Sequence, residues 1–137
     1  MVSHRVQVDT RAALAPVWAA VRNIGALHTD LVPGFVVDTR LEPGGVARLV
    51  TFAHGATLRE PIVALDDELK RLVWSADSPS FTHYNGAVDV VDLGGGVTRV
   101  IWTSDFLPDS LAPQIRSAMA AGARAMQAAL DRLAAGA

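Results

Sequence analysis

Ile115-Arg116-Ser117-Ala118-Met119-Ala120-Ala121-Gly122-Ala123-Arg124-Ala125-Met126-Gln127-Ala128-Ala129-Leu130-Asp131-Arg132-Leu133 is a helical stretch whose apolar side is unusually small and flexible. Ile115, Met119, Gly122, Met126, Leu130 and Leu133 recur at helical spacing along one seam. Ala118, Ala121, Ala123, Ala125 and Ala129 flank it, and Arg116, Arg124 and Arg132 fall off it. The spacing predicts a helix over roughly Asp109 to Leu133 with one face against the protein. Methionine fills irregular space, and glycine lets other groups approach closely. Over a curved sheet such a face leaves a hole, and a kept hole is usually a ligand site.

Upstream of this helix the chain reads as strands. Phe35 to Leu41, Val46 to Ala53, Leu58 to Leu65, Leu69 to Asp77, His83 to Asp92 and Val97 to Phe106 are separated by short Gly, Pro or acidic turns. Consecutive strands with such turns predict an antiparallel meander. Before them, Val6 and Val8 alternate with Arg5, Gln7 and Asp9 as a first strand. Pro16 suits a helix's first turn, with Val17, Trp18, Val21 and Ile24 facing inward and Gly25 ending it. A short second helix is expected over about Ala26 to Val32. The order β, α, α, six β, α is an α+β arrangement, and 137 residues suit one domain.

Composition excludes several classes. The net charge is -2 with acids and bases interspersed, so no basic patch invites nucleic acid. There is no cysteine, which removes disulfides, thiolate nucleophiles and zinc–thiolate sites. No run approaches the ~18 apolar residues of a membrane span, and Met1 to Asp9 lacks signal-peptide character. A soluble cytoplasmic protein is expected. The histidines, His4, His28, His54 and His83, show no metal-ligand spacing, and no metal or cofactor is expected. No serine stands in a nucleophile elbow, and Gly94 to Gly96 is a hairpin turn.

Strand parity assigns the inner face. Val100, Trp102, Ser104 and Phe106 share it in the last strand, and Leu72, Trp74 and Ala76 in the fourth of the run. In the second and third, the bulkier sets are Val46, Arg48, Val50 and Phe52, then Leu58, Glu60, Ile62 and Ala64. Arg48 and Glu60 are thereby two inward charges on neighbouring strands. They are tolerable if paired, either as a structural salt bridge or as a polar ligand anchor. Tyr84 is expected inward and His83 outward.

Val17-Trp18-Ala19-Ala20-Val21-Arg22, Gly45-Val46-Ala47-Arg48 and Glu60-Pro61-Ile62-Val63-Ala64-Leu65-Asp66-Asp67-Glu68 resemble, in this order, the START-like, birch-pollen-allergen-like helix-grip superfamily. That superfamily includes polyketide cyclase/dehydrase and lipid transport proteins. The resemblance implies a seven-stranded antiparallel sheet gripping the C-terminal helix around a cavity. The chain is similar to the plant abscisic acid receptors and their bacterial relatives. However, the closing loops of those receptors correspond to Ala53 to Thr57 and Pro79 to Thr82, which lack their patterns. Leu31 stands where their cavity lysine would be, so hormone binding is not carried over.

Three functions remain open on the sequence. The first is binding or carrying a small hydrophobic ligand, with Phe52, Trp74, Tyr84, Trp102, Met119 and Met126 as contacts and Arg48 and Glu60 as anchors. The second is a polyketide aromatase/cyclase or dehydratase-like enzyme, with Glu60 or His28 moving a proton and Arg48 or Tyr84 stabilising an enolate. The third is an interaction domain with a vestigial cavity. Outward Ile101 and Val73 leave a homodimer open.

Overall fold

The computed structural model describes residues 1–137. Its seven strands are β1 (Val2–Thr10), β2 (Val36–Leu41), β3 (Ala47–Phe52), β4 (Thr57–Asp66), β5 (Arg71–Ser75), β6 (His83–Gly94) and β7 (Val97–Leu107). They form one sheet in the order β1-β7-β6-β5-β4-β3-β2, antiparallel throughout. Helix α1 (Leu14–Arg22) and a one-turn π-helix (Leu27–Leu31) carry the chain from one edge strand to the other. Helix α2 (Ala112–Ala135) follows the last strand. This is the helix-grip arrangement expected from the sequence.

Parity holds along most strands. Val50, Leu72, Trp74, Val88, Val90 and Val100 are buried, and Val17, Trp18 and Val21 close over them from α1. It fails at two expected inward positions. Val46 is exposed because it is a helical-region turn residue after the Pro43–Gly45 turn, before β3 begins. Ala64 is exposed because the pairing steps from Ile62↔Trp74 to Ala64↔Val73, leaving Val63 as the extra residue. That bulge reverses the parity of the strand end, so Leu65, opposite Leu72, packs on the core instead.

One helix end and the type of the second helix also differ from expectation. Helix α1 stops at Arg22, three residues before Gly25, and the N–H of Asn23 still bonds to the carbonyl of Ala19. The second helix is a single wide turn, closed by Val32 N–H donating to the Leu27 carbonyl at 3.0 Å. Trp18 is buried and donates its indole N–H to Asp67 Oδ1 at 2.8 Å, and Arg22 grips the same carboxylate. The β4–β5 turn is thus tied to α1.

The core is split. The larger cluster holds α1, the central strands and the distal half of α2 through Met126 and Leu130. The smaller holds Phe106, Ala112, Ile115 and Met119, at the proximal half of α2. Tyr84 and Trp102 pack against both clusters and stand between them. Gln127 and Thr10 bond across α2 and β1, at 2.9 Å to the Asp9 carbonyl and 3.4 Å to the Leu130 carbonyl.

Leu130 is fully buried, so Leu130→Ala is expected to destabilise the fold by about 2–5 kcal/mol. Arg116→Ala, on the exposed face of the same helix, is expected to stay within ~0.5 kcal/mol. Urea unfolding followed by circular dichroism measures both.

Candidate functional site

Between the two clusters lies a cavity of about 980 Å³, and 21 of its 32 lining residues are hydrophobic. Its walls come from every layer. The π-helix and the turn after it supply Leu27, Leu31, Val32 and Phe35, the sheet supplies Phe52, Trp74, Val88 and Trp102, and α2 supplies Ile115, Ala121, Ala125 and Met126. The wide π turn brings Leu27 and Leu31 onto the same wall. Leu31 is buried there, so this position offers an apolar contact and no charge. Exposed lining residues mark the mouth: His54 and Ala56 before β4, Thr57 at its start, Ser80 before β6, and Gln114, Ala118 and Arg124 on α2. Both the Ala53 to Thr57 and the Pro79 to Thr82 segments therefore contribute residues that border the opening.

The polar part of the wall is built on consecutive strands. Arg48 and Glu60 face each other across β3 and β4. Their side chains are 2% and 7% exposed, and Arg48 Nε donates to Glu60 Oε1 at 2.9 Å. The guanidinium carbon sits 5.2 Å from the ring centroid of Trp74, a cation–π placement. Burial pushes the Glu60 carboxyl above its usual value of 4.5, with Arg48 pulling the other way. Next along the sheet, the Tyr84 hydroxyl and Ser104 Oγ lie 2.8 Å apart. Burial raises the Tyr84 phenol to about 12, so it stays neutral and can donate.

Two buried polar atoms have no partner in the protein, and both are indole nitrogens of cavity-lining tryptophans, Trp74 Nε1 and Trp102 Nε1. An unmet buried donor costs about 1–3 kcal/mol. The remaining aromatics brace one another edge to face, with Phe35 5.5 Å from Phe52 and 6.5 Å from Trp102. Phe81 and Tyr84 lie 4.8 Å apart at the second loop.

The structure gathers Arg48, Phe52, Glu60, Trp74, Tyr84, Trp102 and Met126 around one space. Two other candidates fall outside it. Met119 belongs to the smaller cluster with Phe106 and Ile115, because the helix turns that face toward the β7 end. His28 is held by Thr39, Nδ1 to Oγ1 at 3.0 Å, and does not line the cavity. Glu60 and His28 therefore do not share a site. His54, which the sequence analysis did not include among the site residues, stands exposed at the mouth, stacked on Phe52 at 5.7 Å. Its position two residues beyond inward Phe52 was the available signal. No group of three or more His, Cys, Asp or Glu is placed to hold a metal.

Over residues 1–137 the chain matches the family model described as polyketide cyclase/dehydrase and lipid transport, and it belongs to that family. No curated protein matches the sequence. Among solved structures it is similar to the protein XoxI from Bacillus cereus, with 19% identity, coverage of 95% and 96% of the two chains, and TM-score 0.84. It is similar to a START superfamily protein from Mycobacterium smegmatis, with 12% identity, coverage of 96% and 98%, and TM-score 0.71. It also resembles the di-domain aromatase/cyclase BexL from the BE-7585A biosynthetic pathway, with 15% identity and TM-score 0.75, over 96% of this chain and 46% of that one. No helix is long and apolar enough to cross a membrane.

Removing Arg48 leaves a buried carboxylate alone, so Arg48→Ala is expected to cost about 3–5 kcal/mol near pH 8. The cost should shrink toward pH 5, because the lone carboxyl takes up a proton more readily once Arg48 is gone. The Glu60 carboxyl is already raised in the folded state, so its proton is bound more tightly there than in the unfolded chain. Its stabilising contribution is complete below about pH 4.5 and fades as pH rises through the raised folded value. Glu60→Gln should remove that slope. Denaturant midpoints across pH 4 to 9 for the three proteins test the assignment.

Proposed function

We propose that this chain binds a small, largely hydrophobic molecule in the cavity and carries or presents it. The observation that carries this reading is the cavity itself: about 980 Å³ of mainly apolar space, at the upper end of the ~300–1,000 Å³ of ordinary ligand pockets. Family membership supports it, since lipid transport is part of the family's description. Apolar walls supply contact area, and the Arg48–Glu60 pair with Tyr84 supplies a polar end that fixes orientation. The bordering loops form the entrance. The whole chain acts as one ligand-binding domain in this reading, and its lack of cysteine suits a reducing compartment such as the cytoplasm.

A second reading, cyclase- or dehydratase-like chemistry, is favoured by one observation. Tyr84 is a buried neutral donor beside Ser104, on a wall that also holds Glu60 and Arg48. Such a group can polarise a carbonyl. Against it, Glu60 is occupied by Arg48 and His28 lies elsewhere. Binding therefore stands first.

Filling the cavity tests the reading. Ala125 lines it from α2, so Ala125→Trp should leave a folded protein that binds the fluorescent probe anilinonaphthalene sulfonate at least tenfold more weakly, about 1.4 kcal/mol. Equal binding by the wild type and the variant would remove the cavity as the site.

A further inference from the structure

Neither Gly86 nor Gly122 lines the cavity, yet each supports a tryptophan that does. Trp74 lies directly across the strand pair from Gly86. A methyl group there would collide with Cζ2 and Cε2 of the indole. On α2, a methyl at Gly122 would lie 2.7 Å from Trp102 Cζ3, 2.9 Å from Cη2 and 3.2 Å from Phe35 Cε2. Both bulky rings are therefore recessed into places where only a hydrogen fits. Neither glycine has a positive φ, so neither is required by its backbone conformation.

The two seats are not equivalent. Behind Trp74 is the sheet and before it is the Arg48 guanidinium, so displacement of that ring disturbs the buried ion pair. Trp102 meets the helix at Gly122, packs against both clusters, and borders the cavity beside Phe35. Ordinary carbon contacts are ~3.5–4.0 Å, so a Cβ at 122 displaces the indole by about 1 Å away from the helix, and the unfilled space beside the ring is the cavity. Phe35, braced on Phe52, is crowded by the same atom and also borders the cavity, so its own adjustment narrows the same space.

We propose that Gly122 is a specificity-determining residue: by seating Trp102 in the helix surface it sets the cavity's width, admitting ring-bearing hydrophobic ligands as well as narrow chains. This rests on the ligand-binding reading above. The glycine touches no ligand and acts through the indole, so the expected signature is a change in size preference rather than a general loss of binding.

The test uses two anionic fluorescent probes of different breadth, the fused-ring anilinonaphthalene sulfonate and the linear cis-parinaric acid. Their affinities are measured for wild type, Gly122→Ala, Trp102→Phe and the double variant, with thermal melting as the folding control. Gly122→Ala should move the affinity ratio about tenfold against the fused-ring probe, Trp102→Phe should move it the other way, and the double variant should return it toward wild type. A ratio within about twofold of wild type in folded Gly122→Ala overturns the proposal, as does a double variant no different from Gly122→Ala. If Gly122→Ala does not fold, Trp102→Phe decides, and an unmoved ratio overturns the proposal. Wild type that binds neither probe defeats the binding reading itself, a result the variants play no part in.

Discussion

Trp74 lies against Gly86 on the next strand, and Trp102 presses its six-membered ring against Gly122 on α2. These two contacts decide where the bulk of the interior goes. An indole fills a large volume, and two of them free in the middle of a curved sheet would close the space between sheet and helix. Recessed into glycines, they become walls. The core consequently divides into a large cluster around α1 and a smaller one around Phe106. The gap between them stays open because Trp102 and Tyr84, which touch both clusters, are held at its sides. Packing is thus incomplete between the two clusters, and each cluster is closed by a different half of α2.

The polar wall depends on the same arrangement. Arg48 and Glu60 are more deeply buried than charges usually are, and their attraction is offset by the loss of solvent around both. Trp74, seated on Gly86, offers its ring face to the guanidinium and helps hold it beside the carboxylate. Beside them the Tyr84 hydroxyl and Ser104 satisfy each other. A ligand entering this cavity meets apolar surface along most of its length and a compact, internally paired polar patch at one side. That pattern orients a molecule with one polar end more readily than it drives a reaction.

The fold was largely readable in the sequence because strand parity and turn residues are local. The inward placement of Arg48, Glu60, Trp74 and Trp102 followed from alternation alone. Alternation failed at Ala64, where one extra residue, Val63, reverses the faces and leaves no compositional mark. The helix seam was harder to read. Met119 and Met126 sit on one seam, but α2 spans two clusters, and only tertiary placement separates the wall residue from the core residue. Gly122 signalled close approach correctly. What approaches, the ring of Trp102, comes from a strand twenty residues earlier and was not legible. His28 was drawn out of the site by Thr39, a contact between residues whose facing depends on the π turn.

The chain's three tryptophans supply an internal comparison. Trp74 and Trp102 border the cavity with unpaired indole N–H groups, whereas Trp18 donates its own to Asp67 outside the cavity. Following the three indole N–H resonances by two-dimensional proton–nitrogen NMR during titration with anilinonaphthalene sulfonate tests the central claim most directly. The Trp74 and Trp102 resonances are expected to shift together and saturate while Trp18 stays in place. Three stationary resonances, or a shift confined to Trp18, would contradict it.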